Sequence, residues 1–545
     1  MTLEEMKKKY LGLIEELNPN SEQLTDDPDI AAKQNEVVNQ VMFKLARFKK
    51  IPKYVEMPVK KGQLVEFADI EKVCGYEIYQ VNLVGGVDHA VKANGTVYKF
   101  LADGTAEFDA DAAFVPVSFE IKRGYTYQGY QIGDTVYEGT DIALSNVTED
   151  TKVTLLLDYA TRELPVVHLS TGGAEIASKT DYTPVTFDLT NTEDELHALT
   201  GGIRLRGNST AGYDKKPYRI KFDQKVSLFG LKKAKSWVLL AEYLDPSCMH
   251  NYTAFTLGAA SDALDFTPTP HHVNLYLDGE YMGIYTLCEQ VQENKGRMDL
   301  EQEITPDMTD LADFNFYVCL DHYAPEQPDA VEGETYFYVA WTNNYYSLKY
   351  PEKADFCSDE QFYSFFAQLE AHYNKILEAM YSGNARKIKQ LVDVDSLIDH
   401  MIIDQIMGER DHVWKSFYTY QIAGEKLAFG PVWDYDYCLY APWTGQPNDY
   451  YHVTNTIEYS NDFFIGVSRT PELYEMLCER YQSYYSDVLG DCIVHVKDYK
   501  SEISESLALN DQLWYADLDN ATEQNYDFLI RFLENRKRVL DREWK

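Results

Sequence analysis

The amino-acid sequence predicts an α+β protein in which strands come first and helices later. Three observations lead to this fold class. Short alternating runs separated by glycine turns occupy residues 56–160, further strand-like runs follow Pro165, and helical periodicity dominates from about 358 onward. A run of strands followed by a run of helices is typical of the α+β class, in which the helices pack against largely antiparallel sheets.

The first three segments are short and differ in texture. Residues 1–55 contain two stretches of helical periodicity, EEMKKKYLGLIEEL and AAKQNEVVNQVMFKLARF, and predict a small helical unit. Residues 56–112 change to runs such as YEIYQVNLV and TVYKFL separated by GG, NG and DG, which predict a small β module. Residues 113–162 also contain short strand-like runs separated by glycine turns. We interpret them as a second, repeat-like β module that serves as a spacer or docking unit.

Residues 163–545 are expected to form one large domain. Its strands are predicted in PVVHLS, GGIRLRG, KPYRIKF and HHVNLYLDGEYMGIYTL, and the last of these is a hairpin with its turn at Asp278-Gly279. Helices are predicted from about 358 to 409 and from about 470 to 543, with a short β segment, AFGPVWDYDY, between them.

Composition excludes several classes of function. The chain has 50 Lys and Arg against 88 Asp and Glu, so its formal net charge is −38. Because a nucleic-acid binder must neutralise phosphates with a basic surface, unaided nucleic-acid binding and an anionic membrane surface are both disfavoured. The sequence shows no secretion signal and no run of 18 apolar residues, so no membrane span is expected. The eight scattered cysteines are interpreted as reduced thiols, and together these features favour a cytoplasmic or virion-associated protein over a secreted one.

A polar loop between two predicted strands is the first candidate binding element. In GIRLRGNSTAGYDKKPYRIKF, the residues Gly207, Asn208, Ser209 and Thr210 suit a tight turn that presents backbone N–H groups to an anion. The spacing matches neither of the common phosphate-loop motifs, so a plain hairpin turn stays open as the alternative.

The strand after this loop is rich in cations. Since side chains alternate along a strand, Lys216 is expected to share a face with Tyr218 and Ile220, and Lys215 one with Arg219 and Lys221. Such a strand faces either a ligand or solvent. Glu289, at the end of the next hairpin, is suited to pair with a buried lysine, or to be an ordinary carboxylate at a helix start.

The most informative stretch is MGERDHVWKSFYTY followed by AFGPVWDYDY. Arg410 and Asp411, with Ser416 five residues after the aspartate, reproduce the spacing of a protein-kinase catalytic loop, with Ser in place of the metal-binding Asn. Asp434 and Asp436 follow on a predicted strand, where a period of two places both on one face. Phosphoryl transfer needs one carboxylate to orient the attacking hydroxyl and another to hold a metal ion, although paired acids beside aromatic residues also suit a cation or sugar site.

From about Leu164 onward the sequence resembles the spore coat protein H (CotH) kinase family. The resemblance is carried by LPVVHLST, RGNSTAGYDKKPYRIKF, LFGLKKAKSWVLLAEYLDPSCMHNYTAF, YLDGEYMGIYTLCEQ, LIDHMIIDQIMGERDHVWKSFYTY and GPVWDYDY. It implies an atypical protein-kinase-like fold and an enzyme that transfers the γ-phosphate of ATP to protein serine, or threonine, with Mg²⁺ or Mn²⁺.

The resemblance also implies roles for single residues. Asp411 would be the catalytic base, Lys216 or Lys221 the phosphate contact, and Glu289 the partner of that lysine. The turn near the phosphates would contribute Arg206, Gly207, Asn208, Ser209 and Thr210, joined by Arg219, and the metal would be held by Asp434, Ser416 and Asp436.

The sequence departs from the family pattern at the catalytic loop. Family members often carry Asn at the position of Ser416, and Asn-Arg-Asp-Trp where this chain has Glu409 to His412. A serine hydroxyl can ligate Mg²⁺, so the change is compatible with altered metal preference and also with loss of activity.

A structural role is the alternative function. The first 110 residues or so resemble small structural proteins of tailed-phage heads and necks, through LTDDPDIAAKQNEVVNQVMFKLARFKKIP and NGTVYKFLADGTAEFD. Residues 1–160 would then mediate assembly into a larger particle, and the protein would be a structural or adhesive one that uses a kinase-like scaffold without catalysis. As an enzyme with this net charge, it should favour protein substrates with basic segments around the acceptor serine.

Overall fold

The computed structural model describes residues 123–138, 151–207, 209–409, 411–439 and 461–545, together with strands at 78–84, 90–93, 96–99, 105–111, 114–119 and 142–145. The predicted helical unit of residues 1–55 lies outside these residues. The chain divides into two compact units, Met1–Thr161 and Arg162–Lys545. Both strands and helices are present in the second unit, so the α+β class holds.

The first unit contains two β-sheets. One has the order β4-β1-β9-β6-β7 and the other β3-β2-β5-β8. Because β1 pairs with β9, and β2 with β5, strands from both sides of residue 112 share each sheet. The two predicted β modules are therefore interleaved in their pairing. The strands are β1 (Ile78–Val84), β2 (Ala90–Ala93), β3 (Thr96–Lys99), β4 (Thr105–Asp111), β5 (Phe114–Phe119), β6 (Tyr125–Ile132), β7 (Thr135–Tyr137), β8 (Ile142–Ser145) and β9 (Thr151–Tyr159).

The second unit begins with a closed seven-stranded barrel of order β10-β11-β12-β13-β14-β16-β15. It is antiparallel except where β15 pairs with β10 and closes it. Alternating apolar side chains fill the interior, among them Phe187, Ile220 and Trp237. The strands are β10 (Val166–Ser170), β11 (Thr183–Thr190), β12 (Leu196–Leu205), β13 (Tyr218–Val226), β14 (Ala234–Leu240), β15 (His271–Leu277) and β16 (Glu280–Glu289).

Two of the barrel's turns test the sequence predictions. The hairpin β15–β16 turns at Asp278-Gly279, where both residues have positive φ, as predicted. The face assignment is wrong for Lys215 and Lys216, because the strand begins only at Tyr218, after Pro217. Burial alternates from Tyr218 onward, whereas Lys215 is fully buried and Lys216 half-buried.

A five-stranded antiparallel sheet follows the barrel in the chain, with the order β18-β19-β17-β20-β21. Its central strand, β17, is buried along its whole length. The strands are β17 (Phe316–Leu320), β18 (Tyr336–Val339), β19 (Asn344–Tyr350), β20 (Phe417–Gln421) and β21 (Ala428–Phe429).

The helices of the second unit share one large apolar core with this sheet. The longest, α2, begins where the Ser358 side chain accepts a hydrogen bond from the Gln361 amide, and it ends at Gly383 in the left-handed conformation. Within the part of the chain that the structure describes, none of the helices is both long and apolar enough to cross a membrane. The helices are α1 (His250–Ala259), α2 (Asp359–Ser382), α3 (Ala385–Leu391), α4 (Val394–Met407), α5 (Asp462–Arg469), α6 (Pro471–Arg480), α7 (Ser486–Glu502), α8 (Ser504–Trp514) and α9 (Ala521–Glu543).

Helix α8 docks on the barrel through a buried polar contact. The Lys215 ammonium donates hydrogen bonds to the Ile284 carbonyl at 2.5 Å and to Oδ1 of Asn510 at 2.9 Å. Burial lowers the pKa of Lys215 to about 8. Gly283 has positive φ, and a Cβ there would collide with the Asn510 side chain. The close approach of helix and strand therefore requires glycine at this position.

Candidate active site

A cleft of about 1080 Å³ is lined by several separate stretches of the second unit. The barrel contributes the loop between β12 and β13, and the segment after β14 contributes residues 240–244 with Asn251 from α1. Residues from 322–329, 411–418 and 433–437 also line it. Two loops that are distant from the barrel in sequence thus line the same cleft as its polar turn.

The loop after α4, which we call the catalytic loop (residues 409–416), is held by local hydrogen bonds. Helix α4 ends at Gly408 with φ of 63°. Oε1 of Glu409 then accepts a hydrogen bond from the Asp411 amide at 2.5 Å, and the Asp411 carbonyl accepts one from the Lys415 amide at 2.8 Å. The Lys415 ammonium lies 3.0 Å from Oδ2 of Asp411, whose side chain is 18% exposed. The carboxylate of Asp411 is therefore fixed and reaches the cleft.

The second loop, which we call the metal loop (residues 430–437), is irregular. The prediction that Asp434 and Asp436 lie on a strand is wrong, because β21 ends at Phe429, before Gly430 and Pro431, and residues 436–439 form a turn. Asp434 has φ of 72°, and its Oδ2 accepts a 2.7 Å hydrogen bond from the Ser416 hydroxyl. Both aspartates nevertheless line the cleft with Asp411.

Two buried residues support the metal loop from α1 and the end of β14. Oδ1 of Asn251 accepts a hydrogen bond from the Tyr435 amide at 2.8 Å. The Asn251 amide donates to both carboxylate oxygens of Glu242, at 3.2 and 3.0 Å. The Asn251 side chain therefore links Tyr435 of the metal loop to Glu242, whose side chain also lines the cleft.

The site carries an excess of negative charge. Burial, reinforced by Asp434 and Glu242, raises the pKa of Asp436 well above its ordinary value. Burial likewise raises the pKa of Glu242 to about 7. Although burial opposes its charge, Lys415 has a pKa above its usual value because of Asp434 and Asp411. Carboxylate and hydroxyl oxygens are ligands that Mg²⁺ and Mn²⁺ prefer, so the chemistry of Asp434, Ser416 and Asp436 fits a divalent metal.

A buried histidine joins the two loops. His412 places Nδ1 at 2.9 Å from Oδ2 of Asp404, and its Nε2 donates to the Trp433 carbonyl at 2.9 Å. Asp404 also accepts a hydrogen bond from the Tyr435 hydroxyl. Burial opposes the imidazolium, but Asp404 and Glu409 raise the pKa of His412 to about 10. His412, which follows Asp411, and Trp433, which precedes Asp434, are thus connected to Asp404 on α4.

Five of the six predicted phosphate-binding residues line the same cleft. The lining of the cleft includes Arg206, Gly207, Ser209, Thr210 and Arg219. The Arg206 guanidinium stands 5.3 Å from the centre of the Trp433 ring, and Arg219 donates to the Ser236 hydroxyl at 3.2 Å. Asn208 lies outside the described residues.

Three predicted residues do not line this cleft among the residues that the structure describes. Lys216 donates to the Ala211 carbonyl at 3.2 Å, and Lys221 is exposed on β13. Oε2 of Glu289 accepts a hydrogen bond from the Thr269 amide at 2.8 Å. Burial raises the pKa of Glu289, and the cation that opposes this shift is Arg297. Neither lysine is brought to Glu289 as a partner.

Sequence reasoning missed two residues of the site, namely Glu242 and Lys415. The lysine was detectable, since it follows Asp411 by four residues and a turn of helix brings such residues together. Glu242 lies within a motif that carries the family resemblance, but spacing gave it no role, since it follows β14 in an irregular segment and has positive φ.

Comparison with known proteins adds one finding. The family model of the CotH kinase proteins matches residues 203–540, which is more than half of the chain and includes the barrel turn and both loops of the cleft. No curated protein matches the sequence.

Proposed function

The chain belongs to the CotH kinase family, and from this premise we propose that it transfers the γ-phosphate of ATP to a serine, or threonine, hydroxyl of a protein. The observation that carries the proposal is the convergence of Asp411, Ser416 and Asp434 on one cleft that Arg206 and Arg219 also line. Phosphoryl transfer depends mainly on positioning and charge stabilisation, and these residues supply both.

Asp411 is the group we assign to the acceptor hydroxyl. Its backbone is held by Glu409 and by the Lys415 amide, its carboxylate pairs with the Lys415 ammonium, and it lines the cleft. It orients the substrate hydroxyl and accepts its proton as the oxygen attacks phosphorus. Lys415 forms an ion pair with this carboxylate and supplies positive charge close to the transferred group.

Asp434, Ser416 and Asp436 would hold the divalent metal. When bound, Mg²⁺ or Mn²⁺ neutralises the phosphate oxygens on which charge develops. The hydrogen bond from Ser416 already orients Asp434, so the two side chains are preorganised as a pair.

Arg206 and Arg219 are assigned to the phosphates of ATP. Both line the cleft that holds the aspartates, and guanidinium groups bind phosphate oxygens through paired N–H donors. The contact of Arg206 with the Trp433 ring connects the barrel turn to the metal loop.

Transfer of labelled γ-phosphate to the protein itself and to a generic basic protein tests the proposal, with Mg²⁺ and with Mn²⁺. We expect label with the natural sequence and its loss in Asp411→Asn and in Asp434→Asn. Asp307→Asn, which changes an exposed acid in a loop away from the cleft, is the matched control and should label normally. A folded natural protein that neither binds ATP nor becomes labelled with either metal would refute the proposal and leave the scaffold role.

A further inference from the structure

A second cluster of metal-ligating side chains lies behind the catalytic loop. His400 and Asp404 are four residues apart on α4 and therefore share one face of that helix. His412 follows Asp411 in the short helical turn Asp411–Val413. Side-chain exposure is 0% for His400 and 2% for both Asp404 and His412, so water does not reach the cluster freely.

The distances within the cluster are compatible with three of the ligands of a tetrahedral zinc ion. Nδ1 of His412 lies 2.9 Å from Oδ2 of Asp404, and Nε2 of His400 lies 3.7 Å from Oδ1 of Asp404. One ligand atom from each of the three residues lies within 4.8 Å of the others. A zinc ion with bonds of about 2.0 Å and tetrahedral angles holds neighbouring ligand atoms about 3.3 Å apart, so small adjustments would suffice.

The surroundings have the features of a metal centre's outer shell. A metal-ligating histidine usually donates its other N–H to a carbonyl or carboxylate, and His412 does so through Nε2 to the Trp433 carbonyl at 2.9 Å. The Asp404 carboxylate is in turn oriented by the Tyr435 hydroxyl.

His400 is the independent observation that points to a ligand. Its ring is completely buried, and among the described residues neither of its nitrogens has a hydrogen-bond partner. Buried polar groups are nearly always paired, and an imidazole with both nitrogens unpaired is costly. A metal ion bound by Nε2 would remove that cost on the side that faces Asp404.

We propose that His400, Asp404 and His412 form a buried zinc site, separate from the metal that Asp434 and Ser416 would hold in the cleft. Two imidazoles and one carboxylate are typical ligands of Zn²⁺, whereas Mg²⁺ favours oxygen. The site joins α4 to the catalytic loop and, through the hydrogen bond from His412 to Trp433, to the metal loop. Its role is structural: it fixes the positions of Asp411 and Asp434 relative to each other without contacting substrate.

Metal analysis of the purified full chain, dialysed into buffer with Mg²⁺ and without zinc, is the direct test. We expect about one zinc per chain in the natural protein and in Asp434→Ala, and almost none in His400→Ala. His272→Ala is the matched control, because His272 is also buried but lies on β15, outside the cluster; it should keep its zinc. Zinc that persists in His400→Ala would overturn the proposal, as would its absence from the natural protein even after incubation with Zn²⁺.

A second measurement covers the case in which His400→Ala does not fold. Cobalt(II) loaded into the natural protein should give the visible absorption of a tetrahedral ion without the near-ultraviolet band of a cobalt–thiolate bond, which excludes the buried cysteines as ligands. A chelator should lower the midpoint of thermal unfolding of the natural protein and have little effect on His400→Gln. The absence of a tetrahedral cobalt spectrum would also overturn the site, whatever the kinase assay shows.

Discussion

The hydroxyl of Ser416 donates a 2.7 Å hydrogen bond to Oδ2 of Asp434, and both residues have left-handed backbone conformations, with φ of 58° and 72°. This single side-chain contact thus holds the catalytic loop to the metal loop. It joins two residues whose left-handed backbone conformation is rare for residues other than glycine. Asparagine tolerates this conformation better than most residues, so the backbone at position 416 is compatible with either serine or asparagine.

The first prediction concerns this contact. Ser416→Ala should weaken metal-dependent ATP binding roughly 10-fold, since it removes a ligand and the group that orients Asp434. Ser416→Asn should retain binding and shift the ratio of Mg²⁺- to Mn²⁺-supported activity. Titration calorimetry with each metal checks both variants. Equal binding by Ser416→Ala and the natural protein would show that the hydroxyl does not take part.

The second prediction separates the two central aspartates. Asp411→Asn should lower kcat by about 10²–10⁴-fold and leave the metal-dependent affinity for ATP nearly unchanged, because it removes the proton acceptor alone. Asp434→Asn should abolish metal-dependent nucleotide binding as well. Nucleotide binding and single-turnover transfer, measured side by side, check this difference. Equal loss of ATP affinity in both variants would contradict the assigned roles.

The third prediction concerns Lys415, which lies 3.0 Å from Asp411. Lys415→Met should reduce kcat about 10²-fold, because the cation close to the transferred phosphate is lost. Lys415→Arg should recover part of the activity, since it restores the charge with different geometry. Steady-state kinetics on a basic protein substrate checks both. A variant without the cation that kept full kcat would remove Lys415 from the mechanism.

The fourth prediction follows from the net charge of −38. Serine peptides flanked by Lys and Arg should be phosphorylated roughly 10-fold more efficiently in kcat/KM than peptides flanked by Asp and Glu, because the field of the protein attracts them. The preference should decrease as salt increases, since screening weakens long-range attraction. Equal rates at low salt would contradict it.

The fifth prediction is a pH dependence of stability. Burial lowers the pKa of His272 to about 4, whereas the same ring in the unfolded chain titrates near 6.5. Below pH 6.5 His272 binds a proton in the unfolded state, whereas it stays neutral in the folded state until the pH approaches 4. The contribution of His272 to the free energy of unfolding therefore falls as the pH falls towards 4. Between pH 7 and pH 5 the loss amounts to about 2 kcal/mol.

Urea unfolding of the natural protein and of His272→Gln at these two pH values measures this loss. The stability of the natural protein should fall more steeply than that of the variant over this interval. Parallel pH profiles would show that the burial of His272 is not maintained.

The sequence predicted which residues come together in the cleft better than it predicted the backbone conformation at those residues. The spacing from Asp411 to Ser416 and the two later aspartates identified one wall of the cleft, because their residue types are specific. The strand expected around Asp434 does not exist, since Pro431 removes a backbone donor and Asp434 adopts positive φ, which alternation alone cannot reveal.

The lysines show a different limit. Lys215, Lys216 and Lys221 stand close together in sequence and are alike in composition, yet the structure buries the first, half-buries the second and exposes the third. They differ because β13 begins only at Tyr218, so that Lys221 alone lies on the strand, and because Asn510 of α8 accepts a hydrogen bond from Lys215. A contact between residues almost 300 positions apart has no local signature in the sequence.

That same contact constrains how the protein folds during synthesis. The barrel closes with β16, but the ammonium of Lys215 obtains its side-chain partner only when Asn510 has left the ribosome. Until α8 docks, this ammonium lacks one of its two hydrogen-bond partners, which opposes its burial against the barrel. We therefore expect Lys215 to become buried only after α8 has been translated, in a step that depends on a contact of long range.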